Sequence, residues 1–67
     1  MGKQVFTQEI LRNIQEENGI ITLDLILDAL PTWSEKDVKG RLSNWRYRKV
    51  IDYRVEDGEF SEIFLLK

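Results

Sequence analysis

A chain of 67 residues, 42 % apolar and 33 % charged with a formal net charge of −2, has room for one domain, near the lower size limit for folding without a disulfide or metal. It contains neither cysteine nor histidine, which excludes disulfides and thiolate zinc sites and removes the commonest general base and metal ligand. Its longest apolar runs, 19–23 and 63–66, are far too short to span a bilayer, and no charged-then-apolar signal sequence opens the chain, so a soluble cytoplasmic protein is expected.

Thr7 is expected to cap a first helix, its hydroxyl accepting a bond from an otherwise unpaired amide of the first turn. Phe6 before it and Leu11 four positions into the helix fit a hydrophobic staple. Ile10, Leu11 and Ile14 form the apolar stripe, with Arg12, Gln15 and Glu16 toward water. Asn18-Gly19 ends the helix, since glycine readily takes the left-handed conformation a helix C-terminus often needs. The β-branched pair Ile20-Ile21 suits a brief strand. Thr22 then caps a second helix over about Leu23 to Leu30, closed by Pro31 because the residue before a proline avoids helical geometry.

Thr32 and Trp33 make the next turn, with Trp33 expected to plug the core; presenting a partly exposed ring to a partner is the other option. Ser34 and Asp37 resemble a capping box for a third helix. Stepping about 100° per residue groups Val38, Leu42 and Trp45 on one face, with Lys49 on the same line at the end. Lys36, Gly40, Ser43, Asn44 and Tyr47 fall on the opposite face, and Lys39 and Arg46 on one flank.

Two strands follow, Val50 to Val55 and Phe60 to Leu66, joined around Asp57-Gly58, a strong hairpin signal. A two-residue turn pairs Val55 with Phe60 and Ile51 with Phe64. A three-residue loop pairs Ile51 with Ile63 instead, and a slip of one residue exchanges the faces. Both registers leave apolar residues on both faces, so the second face has something to offer a helix or a dimer partner.

Charge is distributed unevenly. Residues 1–33 carry Lys3 and Arg12 against Glu9, Glu16, Glu17, Asp24 and Asp28, and residues 55–67 carry Lys67 against Glu56, Asp57, Glu59 and Glu62. Residues 34–54 between them hold seven Lys/Arg against three Asp/Glu. A basic stripe between acidic ends fits a phosphate-facing surface, and it equally fits a helix with a solvated basic face.

The stretch from Thr22 to Trp45 (TLDLILDALPTWSEKDVKGRLSNW) and the hairpin stretch from Lys49 to Lys67 (KVIDYRVEDGEFSEIFLLK) resemble the winged helix-turn-helix superfamily. The resemblance covers the chain from Thr7 onward and rests on element order, length and apolar pattern. It implies an α+β fold, a small winged helix-turn-helix domain over 1–67 with three helices, a short strand after the first helix and a C-terminal β-hairpin. Lys49 departs from the pattern by standing where a glycine is common, so the helix exit is expected to be tighter or differently shaped.

The same resemblance implies double-stranded DNA as partner, a role in transcription or replication control, and a third helix, about 34–48, in the major groove. By position it brings Lys36, Lys39, Gly40, Ser43, Asn44 and Tyr47 toward the duplex, with Asn44 able to contact adenine and Ser43 several groups. Arg46, Arg48 and Arg54 would clamp phosphates, which adds affinity without sequence information. A chain this short gains from binding as a homodimer. The wing points elsewhere: Glu56, Asp57, Glu59 and Glu62 would repel phosphates, and an acidic wing suits a basic protein segment, the alternative partner.

No enzyme is expected, and no cofactor or metal. Glu16 and Glu17 are adjacent in a helix and diverge, Asp24 and Asp28 suit a pair of solvated acids, and the sequence holds no glycine-rich phosphate loop or nucleophile elbow.

Overall fold

Three helices precede an antiparallel hairpin in the computed structural model, which describes residues 5–66: α1 (Gln8–Asn18), α2 (Leu23–Ala29), α3 (Glu35–Tyr47), β1 (Ile51–Glu56) and β2 (Glu59–Leu65). Lys3 and Lys67, counted above among the terminal charges, lie outside the described residues. The layout is the expected α+β one. The brief strand at Ile20-Ile21 shrinks to a single bridge, Ile21 with Ile63, whose amide donates to the Ile21 carbonyl at 2.9 Å.

Caps set most boundaries. Thr22 Oγ1 accepts from the Leu25 amide (3.3 Å) and Ser34 Oγ from the Asp37 amide (3.1 Å). Thr7 occupies the cap position of α1 with extended backbone, but its hydroxyl makes no capping bond, a departure from expectation; its carbonyl accepts from Ile10 instead. Gly19, at φ 76°, closes α1 by donating to the Gln15 carbonyl.

The core is assembled from one face of each element: Leu11 and Ile14 of α1, Ile26 and Leu30 at α2, Val38, Leu42 and Trp45 of α3, then Ile51 and Ile63 of the hairpin, joined by Phe6 and Ile21. Fully burying each aliphatic side chain contributes about 1.5–3 kcal/mol. Trp33 plugs the α2–α3 turn. Its half-buried ring meets Phe6 edge-on at 5.5 Å, and Phe6 meets Trp45 at 4.9 Å.

α3 stops at Tyr47, so Lys49 leaves the apolar line and forms the corner into β1. Its φ is 62°, the left-handed conformation glycine would adopt. The Lys49 amide donates to Arg46 and the Val50 amide to Trp45, both at 3.0 Å, which is the Schellman pattern of helix termination. The exit therefore has the glycine-type shape in spite of the lysine.

The hairpin combines two registers. Asp57 (φ 53°) and Gly58 (φ 80°) form a two-residue turn, both at the positive φ that hairpin turns favour, and Val55 pairs with Phe60. The ladder then slips, so that Arg54 pairs with Glu62 and Ile51 with Leu65, leaving Ser61 as the extra residue of a bulge. Neither expected partner of Ile51 is the observed one. Strict alternation from Phe60 would have turned Glu62 and Phe64 inward. The bulge instead puts Phe60, Ile63 and Leu65 on the side of Ile51 and Tyr53.

Lys49→Gly is expected to stabilise the domain by about 0.5–1 kcal/mol, because relief of left-handed strain exceeds the chain entropy glycine adds. Urea denaturation of the two proteins measures the difference, and an unchanged or lowered midpoint contradicts the strained corner.

Candidate functional site

Once the core line of α3 is turned inward, the rest of the helix surface divides into two flanks and an outward face. On one flank the hairpin lies alongside. Tyr53 and Phe60 stack at 4.3 Å with rings inclined by 16°, and α3 covers the pair with Lys39, Ser43 and Arg46. The Lys39 ammonium sits 5.7 Å from the centre of the Phe60 ring and pairs with Glu35 at 2.9 Å. Ser43 Oγ and the Tyr53 hydroxyl are 3.3 Å apart, and the Arg46 guanidinium lies 4.7 Å over the Tyr53 ring.

Arg46 Nε also donates to Asp52 Oδ1 at 3.1 Å, and the same oxygen accepts the Tyr53 amide at 2.8 Å. The Tyr53 side chain first, and the Asp52 carboxylate second, hold the Arg46 pKa above its ordinary value. Asp52 has a further effect on the sheet. Tyr53 pairs with Ile63, whose amide turns away from β1 to reach Ile21. The Tyr53 amide likewise turns to the open edge of β1, where Asp52 occupies it and blunts that edge against strand addition.

On the other flank Arg41 donates to the Phe6 carbonyl at 3.2 Å and lies over the Trp33 and Trp45 rings at 5.3 and 5.8 Å. Sequence reasoning assigned Arg41 no role. The nearby tryptophans were a signal, but the bond to Phe6 crosses 35 positions and no spacing announces it.

The outward face holds Lys36, Gly40, Asn44 and Tyr47, all exposed, with Ser43 at its border with the hairpin. Tyr47 is the extreme, 89 % exposed. A Cβ added at Gly40 would meet nothing within 4 Å among the described residues, so no contact with them requires the glycine. Arg48 and Lys49 follow at the helix exit, exposed, and neither makes an ion pair among the described residues. Thus the nine candidate residues do not form one patch. Lys36, Gly40, Asn44, Tyr47 and Arg48 are open, Lys39, Ser43 and Arg46 are engaged by the hairpin, and Arg54 lies on the hairpin's far face, 5.9 Å from the centre of the Phe64 ring.

The hairpin tip is acidic, with Glu56 directly opposite Glu59, a like-charge pair that works against the hairpin. Near it Asp24, Glu35 and Glu59 line a cleft of about 160 Å³ together with Lys39, Thr22, Leu23 and Phe60. No cluster of three or more metal-binding side chains occurs among the described residues, and no helix among them is long and apolar enough to cross a membrane. In comparisons with known proteins, no family model, no curated protein and no solved structure matches the chain.

Because none of the described residues packs on its Cβ position, Gly40→Ala is expected to raise stability by about 0.8–1 kcal/mol through helix propensity alone. Thermal unfolding checks this, and a lowered melting temperature would reveal a close neighbour at Gly40.

Proposed function

We propose that this domain binds double-stranded DNA by placing the outward face of α3 in the major groove, as a small regulator of transcription or replication. The observation that carries the proposal is the state of that face: core, hairpin and the Phe6–Trp33 cluster occupy the other sides of α3, and Lys36, Gly40, Asn44 and Tyr47 are left exposed. A groove about 12 Å wide admits one helix. The side chains present suit its walls and floor. Asn44 has the amide pair that matches the adenine edge, Lys36 supplies charge, and Tyr47 offers a ring with a hydroxyl. The missing side chain of Gly40 lets the helix backbone approach closely.

Arg46 and Arg54 enter this proposal differently from the outward residues. A phosphate recruiting Arg46 would have to compete with Asp52, and Arg54 would have to leave the Phe64 ring. A single helix reads few bases, so a second copy on the next half-site is part of the proposal. The longest dimension of the domain, 34 Å, is compatible with half-sites one turn, about 34–36 Å, apart. The acidic tip supports a second reading, a protein-interaction module for a basic segment.

Two variants separate binding from folding. Gly40→Leu adds bulk where the domain itself has open space; the fold should be retained and duplex affinity abolished. Asn44→Ala with Tyr47→Ala, both at exposed positions, should weaken binding by about tenfold or more, the scale of removing one or two hydrogen-bonded base pairings, with unfolding nearly unchanged. Fluorescence anisotropy with a labelled duplex gives the affinities, and retained binding in both variants would remove α3 from the interface.

A further inference from the structure

The charge along α3 is polarised, and the hairpin makes the polarity stronger. β1 leaves the Lys49 corner and runs back beside the helix, since Tyr53 meets Ser43 and Arg46 while Phe60 reaches Lys39, one turn from Glu35. The acidic tip therefore lies at the N-terminal half of α3. There Glu59 joins Asp24 and Glu35 around one cleft, and Lys39 is neutralised by Glu35 at 2.9 Å. At the other end Arg48 and Lys49 are exposed and carry no ion pair among the described residues, next to exposed Asn44 and Tyr47.

Resting on the duplex-binding proposal above, we infer that a phosphate strand of the duplex crosses the C-terminal half of α3, over Asn44, Tyr47, Arg48 and Lys49, with the hairpin tip held clear of the DNA. Charge complementarity selects this end: two adjacent cations without ion pairs among the described residues, against a district of carboxylates in which Lys36 is an exposed cation. Distance keeps the tip out of play. The six residues of β1 at about 3.3 Å each separate it from the Lys49 corner by roughly 20 Å, about two Debye lengths at 0.1 M salt. Its repulsion on a phosphate strand at that corner is then largely screened. The wing acts as a buttress that positions α3 through the Tyr53–Phe60 stack, and the corner holds the backbone.

The test compares three full-length proteins by anisotropy with one labelled generic duplex between 50 and 200 mM salt. Arg48→Gln with Lys49→Asn removes the corner charges while keeping a residue that tolerates the left-handed position. Glu56→Gln, Asp57→Asn and Glu59→Gln neutralise the tip and remove the Glu56–Glu59 repulsion; circular dichroism confirms that both variants fold. The corner variant should bind at least about tenfold more weakly at 50 mM, with a salt slope shallower by about 2, roughly 0.9 for each phosphate no longer neutralised. The tip variant should stay within about twofold of wild type.

Wild-type affinity in the corner variant, or a gain above about threefold in the tip variant at 150 mM salt, where exposed charges beyond about 8 Å are screened, would put the phosphates at the wing end and overturn the inference. Those outcomes leave duplex binding itself intact. Failure of the wild-type protein to bind at 50 mM would instead overturn the duplex reading, and this inference with it.

Discussion

Burial of Val38, Leu42 and Trp45 fixes the rotation of α3 about its own axis, and the rest of the surface follows from that rotation. Their apolar burial is worth several kcal/mol in total. No exposed polar interaction on the same helix competes with that, since exposed ion pairs contribute little. Lys39, Ser43 and Arg46 are thereby aimed at the hairpin, Arg41 at Phe6 and the tryptophans, and Lys36, Gly40, Asn44 and Tyr47 at solvent. A quarter-turn of the helix would bury a different set and offer a different face.

Position of the hairpin depends on two backbone events. The left-handed residue at Lys49 turns the chain sharply enough to bring Ile51 into the core, and the bulge at Ser61 lets Phe60 and Ile63 share a face in spite of their odd separation. Together they place the Tyr53–Phe60 stack on the flank of α3. That packing links fold to proposed function, because it engages Lys39, Ser43 and Arg46 on one side of the basic helix and leaves the outward face and the helix exit exposed.

Local features were well marked in the sequence. The hydroxyl caps at Thr22 and Ser34, the glycine stop at Gly19, the Val38–Leu42–Trp45 line and the Asp57-Gly58 turn each depend on a few neighbouring residues whose chemistry is self-evident. The Thr7 hydroxyl is an exception, because residue type makes a capping bond available without requiring it. Less was legible where the partner is remote. Helical periodicity separates core from surface on α3, but it is blind to which element covers a flank, so Lys39, Ser43 and Arg46 looked as open as Asn44 and Tyr47. The pairing of Arg46 with Asp52 depends on how β1 returns along the helix. The bulge was hidden for a similar reason: a register holds only one alternation, and β2 needs two.

In the proposed mode of binding, α3 presents its outward face to a DNA duplex. An NMR titration of the isotope-labelled domain with a generic duplex, at low salt and again near physiological salt, tests it most directly, since each amide reports its own environment. Salt-sensitive shifts confined to residues 36–49, strongest from Asn44 to Lys49 and absent from the tip at 56–59, are the expected result. No shifts at low salt, where attraction to phosphate is greatest, would contradict it.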